Sequence, residues 1–371
     1  MTQPVVIAGG GTGGHVFVAR AVAEALERRG LSKDELRFVG SSRGQERELL
    51  ADTGIQLELL AGRGIKRSVA PRALLDNVGA ALGIFRAFLR SLSLLKAWRP
   101  RAVVSVGGFA AAPVGFAAAL RRCPLILVNI DAVPGLTHRA LSRFATASCV
   151  AVPGTPLKNP HVTGIPVRQG FTELDRSDEG RKAARRALGC DPDRPFVAVV
   201  TGSLGARSVN QAVMALAREW PGFSGTIYHV VGRRDAAELH GLTVPSAPGL
   251  EHRLVAFEDQ MTLLYQASDV AITRAGALTV GELAVAGVPA VLVPLPGAPG
   301  DHQTKNARAL SDRGAGILIP DDQLSAAGLR EALEPLLNDA AKRGAMEEAA
   351  RALGHPQAAD EVADVVLDHV G

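Results

Sequence analysis

A turn of small residues followed by a carboxylate has the clearest chemical meaning in this sequence. Residues 273–282 read Thr-Arg-Ala-Gly-Ala-Leu-Thr-Val-Gly-Glu and follow a short apolar run. If a helix begins here, the amides of Ala277 and Leu278 face its N-terminus, where a pyrophosphate can bind without a metal. The carboxylate of Glu282 could accept hydrogen bonds from both hydroxyls of a ribose. An acid near a helix N-terminus also stabilises the helix itself, which is the alternative for Glu282.

A second glycine-rich turn lies at the N-terminus. Residues 9–14 read Gly-Gly-Gly-Thr-Gly-Gly after an apolar run, so backbone amides there can approach an anion closely. The spacing also fits the dinucleotide-binding pattern, which needs an acid at the end of the second strand. Residues 38–42 read Phe-Val-Gly-Ser-Ser and contain no acid, which disfavours an NAD-linked oxidoreductase.

His15 follows this turn directly, and Gly107-Gly108 ends another apolar run. A neutral imidazole at such a position could take a proton from an attacking hydroxyl, and a helix N-terminus disfavours its charged form. A purely structural histidine is the alternative. Two amide-rich turns side by side suit a diphosphate, although Gly107-Gly108 alone is equally compatible with a plain tight turn.

A third polar segment, residues 301–307, reads Asp-His-Gln-Thr-Lys-Asn-Ala after a loop rich in proline and glycine. Its side chains could hold the hydroxyls of a sugar, and the alternative is an ordinary helix N-cap.

The elements that must position these residues alternate between strand and helix. The pattern predicts strands at residues 5–8, 36–39, 102–106, 125–129, 149–152, 196–200, 226–231, 270–272 and 290–293, and helices at residues 16–29, 45–53, 113–121, 208–219, 259–267 and 279–286. This alternation is typical of parallel sheets covered by helices. With 371 residues, the chain is long enough for two domains. We therefore expect an α/β protein with two Rossmann-like, doubly wound domains that face each other across a cleft, with ligands at the carboxyl ends of the strands.

The order and spacing of these segments resemble the MurG family, which belongs to glycosyltransferase family 28 and has the GT-B fold. The resemblance covers almost the whole chain and rests on residues 9–15, 107–113, 135–137, 164–168, 201–206 with Asn210, 274–282 and 301–307. It implies an acceptor- and membrane-facing domain at residues 1–163, a donor-binding domain at 164–350 and a C-terminal helix at 351–371 packing back towards the first domain.

The resemblance also implies an activity. Family members transfer N-acetylglucosamine from UDP-N-acetylglucosamine, with inversion, to the 4-hydroxyl of the lipid-linked muramyl-pentapeptide in peptidoglycan synthesis. Neither a cofactor nor a metal is expected. His15 would be the catalytic base. The donor-binding residues would be Thr12, Gly13, Gly14, Arg168, Ser203, Asn210, Arg274, Ala277, Leu278, Thr279, Glu282, His302 and Gln303, and the acceptor-binding residues Gly11, Gly14, His15, Gly107, Gly108, Asn129 and Asp131.

The chain departs from the family pattern at residues 128–131. They read Val-Asn-Ile-Asp, where the family usually has His-Glu-Gln-Asn at the end of a strand. Because this change affects the expected acceptor contacts, several alternatives stay open: a related GT-B enzyme with another acceptor, a nucleotide-sugar epimerase, or a non-catalytic protein that binds nucleotide sugars.

A basic and apolar stretch lies between Lys66 and Arg101. Its apolar stripe contains Ile84, Phe85, Phe88, Leu89, Leu92 and Leu95, and its basic residues include Lys66, Arg67, Arg72, Arg86, Arg90, Lys96 and Arg99. Such a stripe can lie on an anionic membrane, or it can pack into the core as most amphipathic helices do. The lipid-linked acceptor favours a peripheral protein on the cytoplasmic face of the plasma membrane. The net charge of only +4 does not indicate a nucleic-acid partner.

Overall fold

The computed structural model describes residues 3–11, 13–62, 71–239 and 246–370, and the side chains of residues 71–80 fall outside that description. The chain divides into two compact units. Unit 1 contains Met1–Gln169 and Pro356–Gly371, and unit 2 contains Gly170–His355. The sequence-based boundaries were placed after residues 163 and 350, a few residues before the points where the chain changes unit.

Unit 1 is built on a sheet of parallel strands in the order β3-β2-β1-β4-β5-β6-β7. Its elements are β1 (Val5–Gly10), α1 (Gly13–Arg28), β2 (Leu36–Ser41), α2 (Glu46–Leu49), β3 (Gln56–Leu60), α3 (Pro71–Trp98), β4 (Ala102–Gly108), α4 (Ala111–Leu120), β5 (Leu125–Asn129), α5 (Leu136–Leu141), β6 (Ala147–Val150) and β7 (Pro160–Val162).

The strands of unit 1 form because their apolar, mostly β-branched runs are covered on both faces. Every residue of β1 is buried, and Val6 and Ala8 pack with Val103 and Leu125 in the core. The sequence prediction located these strands but overlooked β3, β7 and the short helix α5. It also made the helix at residues 45–53 too long, because α2 covers only Glu46–Leu49.

Unit 2 repeats the design with parallel strands in the order β10-β9-β8-β11-β12-β13. Its elements are α6 (Asp178–Ala187), β8 (Phe196–Val200), α7 (Arg207–Arg218), β9 (Thr226–Val230), α8 (Arg233–Leu239), β10 (Glu251–Val255), α9 (Met261–Ala267), β11 (Val270–Thr273), α10 (Ala277–Ala286), β12 (Ala290–Leu292), α11 (His302–Ser311), β13 (Ile317–Leu318), α12 (Ala326–Asn338) and α13 (Ala340–Leu353). Its core joins Val197 and Val199 to Val213, Trp220 and Leu333.

The final helix, α14 (Ala358–Leu367), belongs to unit 1 and packs against α1. Two arginines at the end of α1 anchor it, since Arg28 pairs with Asp360 at 2.8 Å and Arg29 pairs with Asp364 at 2.6 Å.

Each sheet reverses its strand order once. In unit 1 the chain adds β2 and β3 on one side of β1 and then places β4 on the other; in unit 2 the strands β8 and β11 meet in the same way. Ligands of doubly wound sheets bind in the crevice beyond the carboxyl ends of two such strands. The predicted glycine-rich and small-residue turns lie at the carboxyl ends of these strands, which are β1 and β4 in unit 1 and β8 and β11 in unit 2.

Candidate active site

The two glycine turns of unit 1 lie side by side. Gly9 pairs with Gly107 and Gly10 with Gly108, after a register shift between Ala8 and Gly9. A Cβ atom on Gly108, whose φ is +84°, would lie 1.9 Å from the carbonyl oxygen of Gly10. Only glycine permits this backbone approach. The structure therefore brings together the two turns that were predicted as neighbours.

A buried carboxylate, which the sequence prediction missed, supports the first turn. Oε1 of Glu46 accepts hydrogen bonds from the amides of Gly11 at 2.9 Å and Ser41 at 2.7 Å, and the residue is 1% exposed. The Gly11 amide is therefore already bonded to Glu46, and the acceptor contact of Gly11 stays a prediction. A Cβ atom on Gly11 or Gly14 would meet no described atom within 4 Å, so both glycines border open space.

His15 lies in the first turn of α1, beside the turn of β4. A Cβ atom on Gly107 would be 3.0 Å from its Nε2 atom. Burial lowers the pKa of His15, while the charges of Asp131 and Glu46 act in the opposite direction and are weaker. The imidazole is therefore neutral at neutral pH, as a base that accepts a proton must be.

Asn129, predicted to contact the acceptor, is buried at the end of β5. Its Nδ2 donates to the carbonyl of Asp131 at 2.8 Å, and its Oδ1 lies 3.3 Å from Nδ1 of His138. Both ends of the amide thus bond to protein atoms, and the acceptor contact of Asn129 stays a prediction. Asp131 itself is half-buried and acts on His15 through its charge.

Four residues predicted to bind the donor belong to unit 1. Gly13 and Gly14 form the start of α1, and Thr12 lies outside the described residues. Arg168 was predicted beside the nucleotide in the donor domain, but it belongs to unit 1, where its guanidinium carbon lies 4.1 Å above the ring of Phe17. The predicted contact of Arg168 with the nucleotide stays a prediction.

The predicted anion site of unit 2 is the start of α10. Its N-cap, Gly276, has no side chain, and the first intrahelical bond runs from the amide of Val280 to the carbonyl of Gly276. The amides of Ala277, Leu278 and Thr279 therefore precede the helical hydrogen-bond ladder and point towards its N-terminus. Such amides and the helix dipole together attract a diphosphate.

Glu282 lies in the second turn of α10 and is 6% exposed. His302 and Gln303 begin α11, which follows the loop after β12. The side chains of both are already oriented by the backbone: Nδ1 of His302 lies 2.9 Å from the carbonyl of Pro299, and Oε1 of Gln303 accepts from the amide of Leu295 at 2.9 Å.

Arg274, at the end of β11, connects several parts of unit 2. Its Nη1 donates to Asp321 and to the carbonyls of Val293 and Pro294, and its Nη2 donates to Ser208 at 2.9 Å. These contacts hold the strand ends in place, whereas the contact of Arg274 with a nucleotide stays a prediction.

Asn210, on α7, is 2% exposed and bonds to residues at and after the end of β9. Its Nδ2 donates to Asp235 at 2.9 Å and to the carbonyl of Val231, while its Oδ1 lies 2.9 Å from Nε2 of His229. These bonds hold the amide among protein atoms, and the contact of Asn210 with the donor stays a prediction.

Comparison with known proteins identifies the family. Residues 5–150 match the glycosyltransferase family 28 N-terminal domain, and residues 196–362 match the family 28 C-terminal domain. Two relatives named UDP-N-acetylglucosamine–N-acetylmuramyl-(pentapeptide) pyrophosphoryl-undecaprenol N-acetylglucosamine transferase are each 40% identical to this chain. The protein from Desulforudis audaxviator aligns over 98% of this chain and 97% of its own length, and that from Alkalilimnicola ehrlichii over 99% of both.

Solved structures agree with this result. The crystal structure of Acinetobacter baumannii MurG aligns over 99% of both chains with a TM-score of 0.75 at 29% identity. A UDP-GlcNAc 2-epimerase from Neisseria meningitidis shares the fold, with a TM-score of 0.65 over 99% of this chain, but only 13% identity. The chain therefore belongs to glycosyltransferase family 28 and has the two-domain GT-B fold of that family.

Proposed function

We propose that this enzyme transfers N-acetylglucosamine from UDP-N-acetylglucosamine to the 4-hydroxyl of a lipid-linked muramyl-pentapeptide, with inversion at the anomeric carbon. The observation that carries the proposal is the 40% identity, over nearly the full length of both chains, to relatives named for this transfer. The epimerase alternative depends on a fold likeness at 13% identity, and the fold alone does not determine the reaction.

In the proposed reaction, the acceptor hydroxyl attacks the anomeric carbon, a new C–O bond forms, and the bond from that carbon to the β-phosphate oxygen breaks. UDP leaves with the electron pair of the broken bond, and the hydroxyl proton moves to His15. The amides of Ala277, Leu278 and Thr279 stabilise the negative charge that develops on the diphosphate. Glu282 binds the ribose, while His302 and Gln303 orient the sugar.

An assay of sugar transfer tests the proposed function. Purified enzyme with UDP-N-acetylglucosamine and the lipid-linked muramyl-pentapeptide is expected to release UDP and form the disaccharide product, whereas UDP-glucose is expected to support much slower transfer. Formation of UDP-N-acetylmannosamine without any acceptor would instead identify an epimerase.

The ribose contact predicts a loss of donor affinity. Glu282→Ala removes two hydrogen bonds to a charged acceptor, so the dissociation constant of UDP is expected to rise about 10- to 100-fold. Isothermal titration calorimetry measures this change directly. Glu331→Ala, which changes an exposed glutamate of α12, serves as the control. An unchanged dissociation constant in the Glu282 variant would remove this residue from the donor site.

We also propose that unit 1 binds the surface of an anionic membrane. An apolar groove of about 820 Å³ lies between α3 and α4, and its lining includes Phe85, Phe88, Phe116, Leu120 and Phe144. Leu120 is 67% exposed and Phe85 is 57% exposed. In contrast, Leu95 and Leu94 of α3 are buried, so the predicted stripe is divided between the core and the groove.

Basic side chains border this groove. Arg122 lines it, Arg143 lies 4.5 Å above the ring of Phe144, and Arg86 is exposed on α3. Lys66 and Arg67, predicted for the same surface, lie outside the described residues, as does the side chain of Arg72. Apolar residues with basic neighbours are the combination that anionic leaflets attract. Among the described helices, none combines the length and apolar character that a membrane crossing requires.

The membrane proposal predicts a specific loss of vesicle binding. Phe85→Glu combined with Leu120→Glu is expected to lower co-sedimentation with phosphatidylglycerol vesicles at least about tenfold, because two carboxylates would have to enter the interface. Val162→Glu, which alters an exposed apolar residue outside the groove, is the matched control. Equal loss in both variants would contradict a membrane-binding role of the groove.

A further inference from the structure

A buried histidine bridges the point where two central strands of unit 1 separate. The β4–β5 pairing extends to Ser105 and Leu127, after which β4 continues beside β1 and β5 continues beside β6. His138, on α5, occupies this point. Its Nε2 lies 3.1 Å from the carbonyl oxygen and 3.2 Å from Oγ of Ser105, and its Nδ1 lies 3.3 Å from Oδ1 of Asn129.

The surrounding hydrogen bonds define the state of this ring. Nδ2 of Asn129 donates to the carbonyl of Asp131, so the amide oxygen of Asn129 faces Nδ1 of His138. Nε2 of His138 lies within hydrogen-bond distance of the Ser105 carbonyl, which can only accept, and of the Ser105 hydroxyl, which can donate or accept, so both strands contact the ring whichever nitrogen carries the proton. His138 is only 4% exposed, and this burial, aided by His15, lowers its pKa to about 4. The ring is therefore an uncharged bridge at neutral pH.

The same histidine contacts the turn beside His15. A Cβ atom on Gly107 would lie 3.6 Å from Cε1 of His138 and 3.0 Å from Nε2 of His15, so both imidazoles pack around this one glycine. Gly107 follows Ser105 by two residues and has a φ of +95°. The Gly107 backbone is the surface that His15 packs against. A contact that holds β4 in place at Ser105 therefore also holds this surface in place.

We propose that His138 is a positioning residue for His15: by joining Ser105 of β4 to Asn129 of β5, it fixes the Gly107 turn and thereby the orientation of the His15 ring. This inference depends on the base role of His15 proposed above. Asp131 and Glu46 are the charged groups that act on the same ring. His138 has no direct contact with substrate in this proposal.

Two measurements test the proposal. The first is an NMR titration of His15 in protein labelled with ¹³C at histidine Cε1, with the signal assigned by His15→Gln. In His138→Leu the His15 ring is expected to become more solvated, so its pKa is expected to rise towards the ordinary value by about half a unit or more. The second is transfer kinetics, where kcat is expected to fall about tenfold or more while the KM for UDP-N-acetylglucosamine stays within about twofold.

Three further variants serve as comparisons. His138→Gln, whose amide can still donate to Asn129, is expected to recover most of the lost kcat. Ser105→Ala removes only the hydroxyl and leaves the carbonyl contact with Nε2, so it is expected to give a smaller shift of the His15 pKa in the same direction, which keeps the test available if His138→Leu does not fold. His161→Leu changes an exposed histidine of β7 and is expected to alter neither measurement.

The possible outcomes separate the two proposals. If His138→Leu lowers the melting temperature but leaves the His15 pKa and kcat unchanged, His138 stabilises the fold and does not position His15. If the wild-type enzyme transfers no sugar, the proposed function fails. The NMR titration still decides whether His138 controls the environment of His15.

Discussion

His15→Ala is expected to lower kcat about 100- to 1000-fold, because a positioned general base contributes a factor of this size to proton transfer. Donor binding is expected to change less than about twofold, since the predicted diphosphate site is the N-terminus of α10 in unit 2. Stopped-time assays of UDP release give kcat, and calorimetry with UDP gives the dissociation constant. His161→Ala, at an exposed histidine of unit 1, is the matched control.

The pH dependence of transfer provides an independent check on His15. Burial lowers the pKa of this imidazole, so its neutral, proton-accepting form persists below the ordinary value of about 6.5. The transfer rate is therefore expected to fall as the pH decreases through a pKa below about 6.5. If the transfer rate falls with a pKa above that value, or falls in the same way in His15→Ala, His15 is not the base.

Glu347→Ala is expected to destabilise unit 2 by about 3–5 kcal/mol, the usual cost of removing one partner of a buried ion pair. Glu347 on α13 accepts from Arg176 at 2.8 Å, from Arg181 at 2.9 Å and from Arg351 at 3.3 Å. The Arg176 side chain is only 3% exposed, and burial already lowers its pKa to about 10. Without the carboxylate, this guanidinium is left charged in the interior.

Differential scanning calorimetry measures that loss. For a unit of this size we expect the melting temperature of unit 2 to fall by about 10 °C. Glu348→Ala changes the neighbouring, exposed glutamate of α13 and is expected to shift it by less than about 2 °C. Similar shifts of the melting temperature in the two variants would show that the buried ion pairs of Glu347 contribute little to the stability of unit 2.

The fold was largely predictable because its signals are local. Apolar, β-branched runs such as residues 5–8 and 196–200 predict strands by themselves, and a turn of small residues predicts the start of α10. The glycine turns at residues 9–14 and 107–108 were located for the same reason: positive φ values and close backbone approaches require glycine at those positions.

The residues that support the site were not predictable in this way. Glu46 is separated by 35 residues from Gly11, and His138 by 33 residues from Ser105, so no short-range pattern links either pair. Residues 128–131 lack the histidine that the family usually has at the end of this strand. The structure nevertheless places an imidazole there, because His138 of α5, nine residues after Asn129, contacts the Asn129 side chain.

The surroundings of the polar residues could not be predicted from the sequence. The ligand contacts of Asn129 and Asn210 were expected from the resemblance to the family, and they stay predictions. The burial of both residues, at 4% and 2% exposure, and their engagement by protein atoms follow from tertiary packing, which a linear sequence does not display. The proposed diphosphate site at α10 depends on backbone amides at a helix start instead, and that helix start was predictable from the sequence.

The return of α14 to unit 1 has a consequence for biosynthesis. During translation, the helix α1 that α14 covers emerges from the ribosome more than 300 residues before α14, as the 332-residue separation of Arg28 and Asp360 illustrates. Domains generally fold as they are synthesised, and unit 2 is contiguous, so it can complete its packing first. Unit 1 therefore cannot complete its packing until α14 has been synthesised, and the apolar surface of α1 stays uncovered by α14 until then.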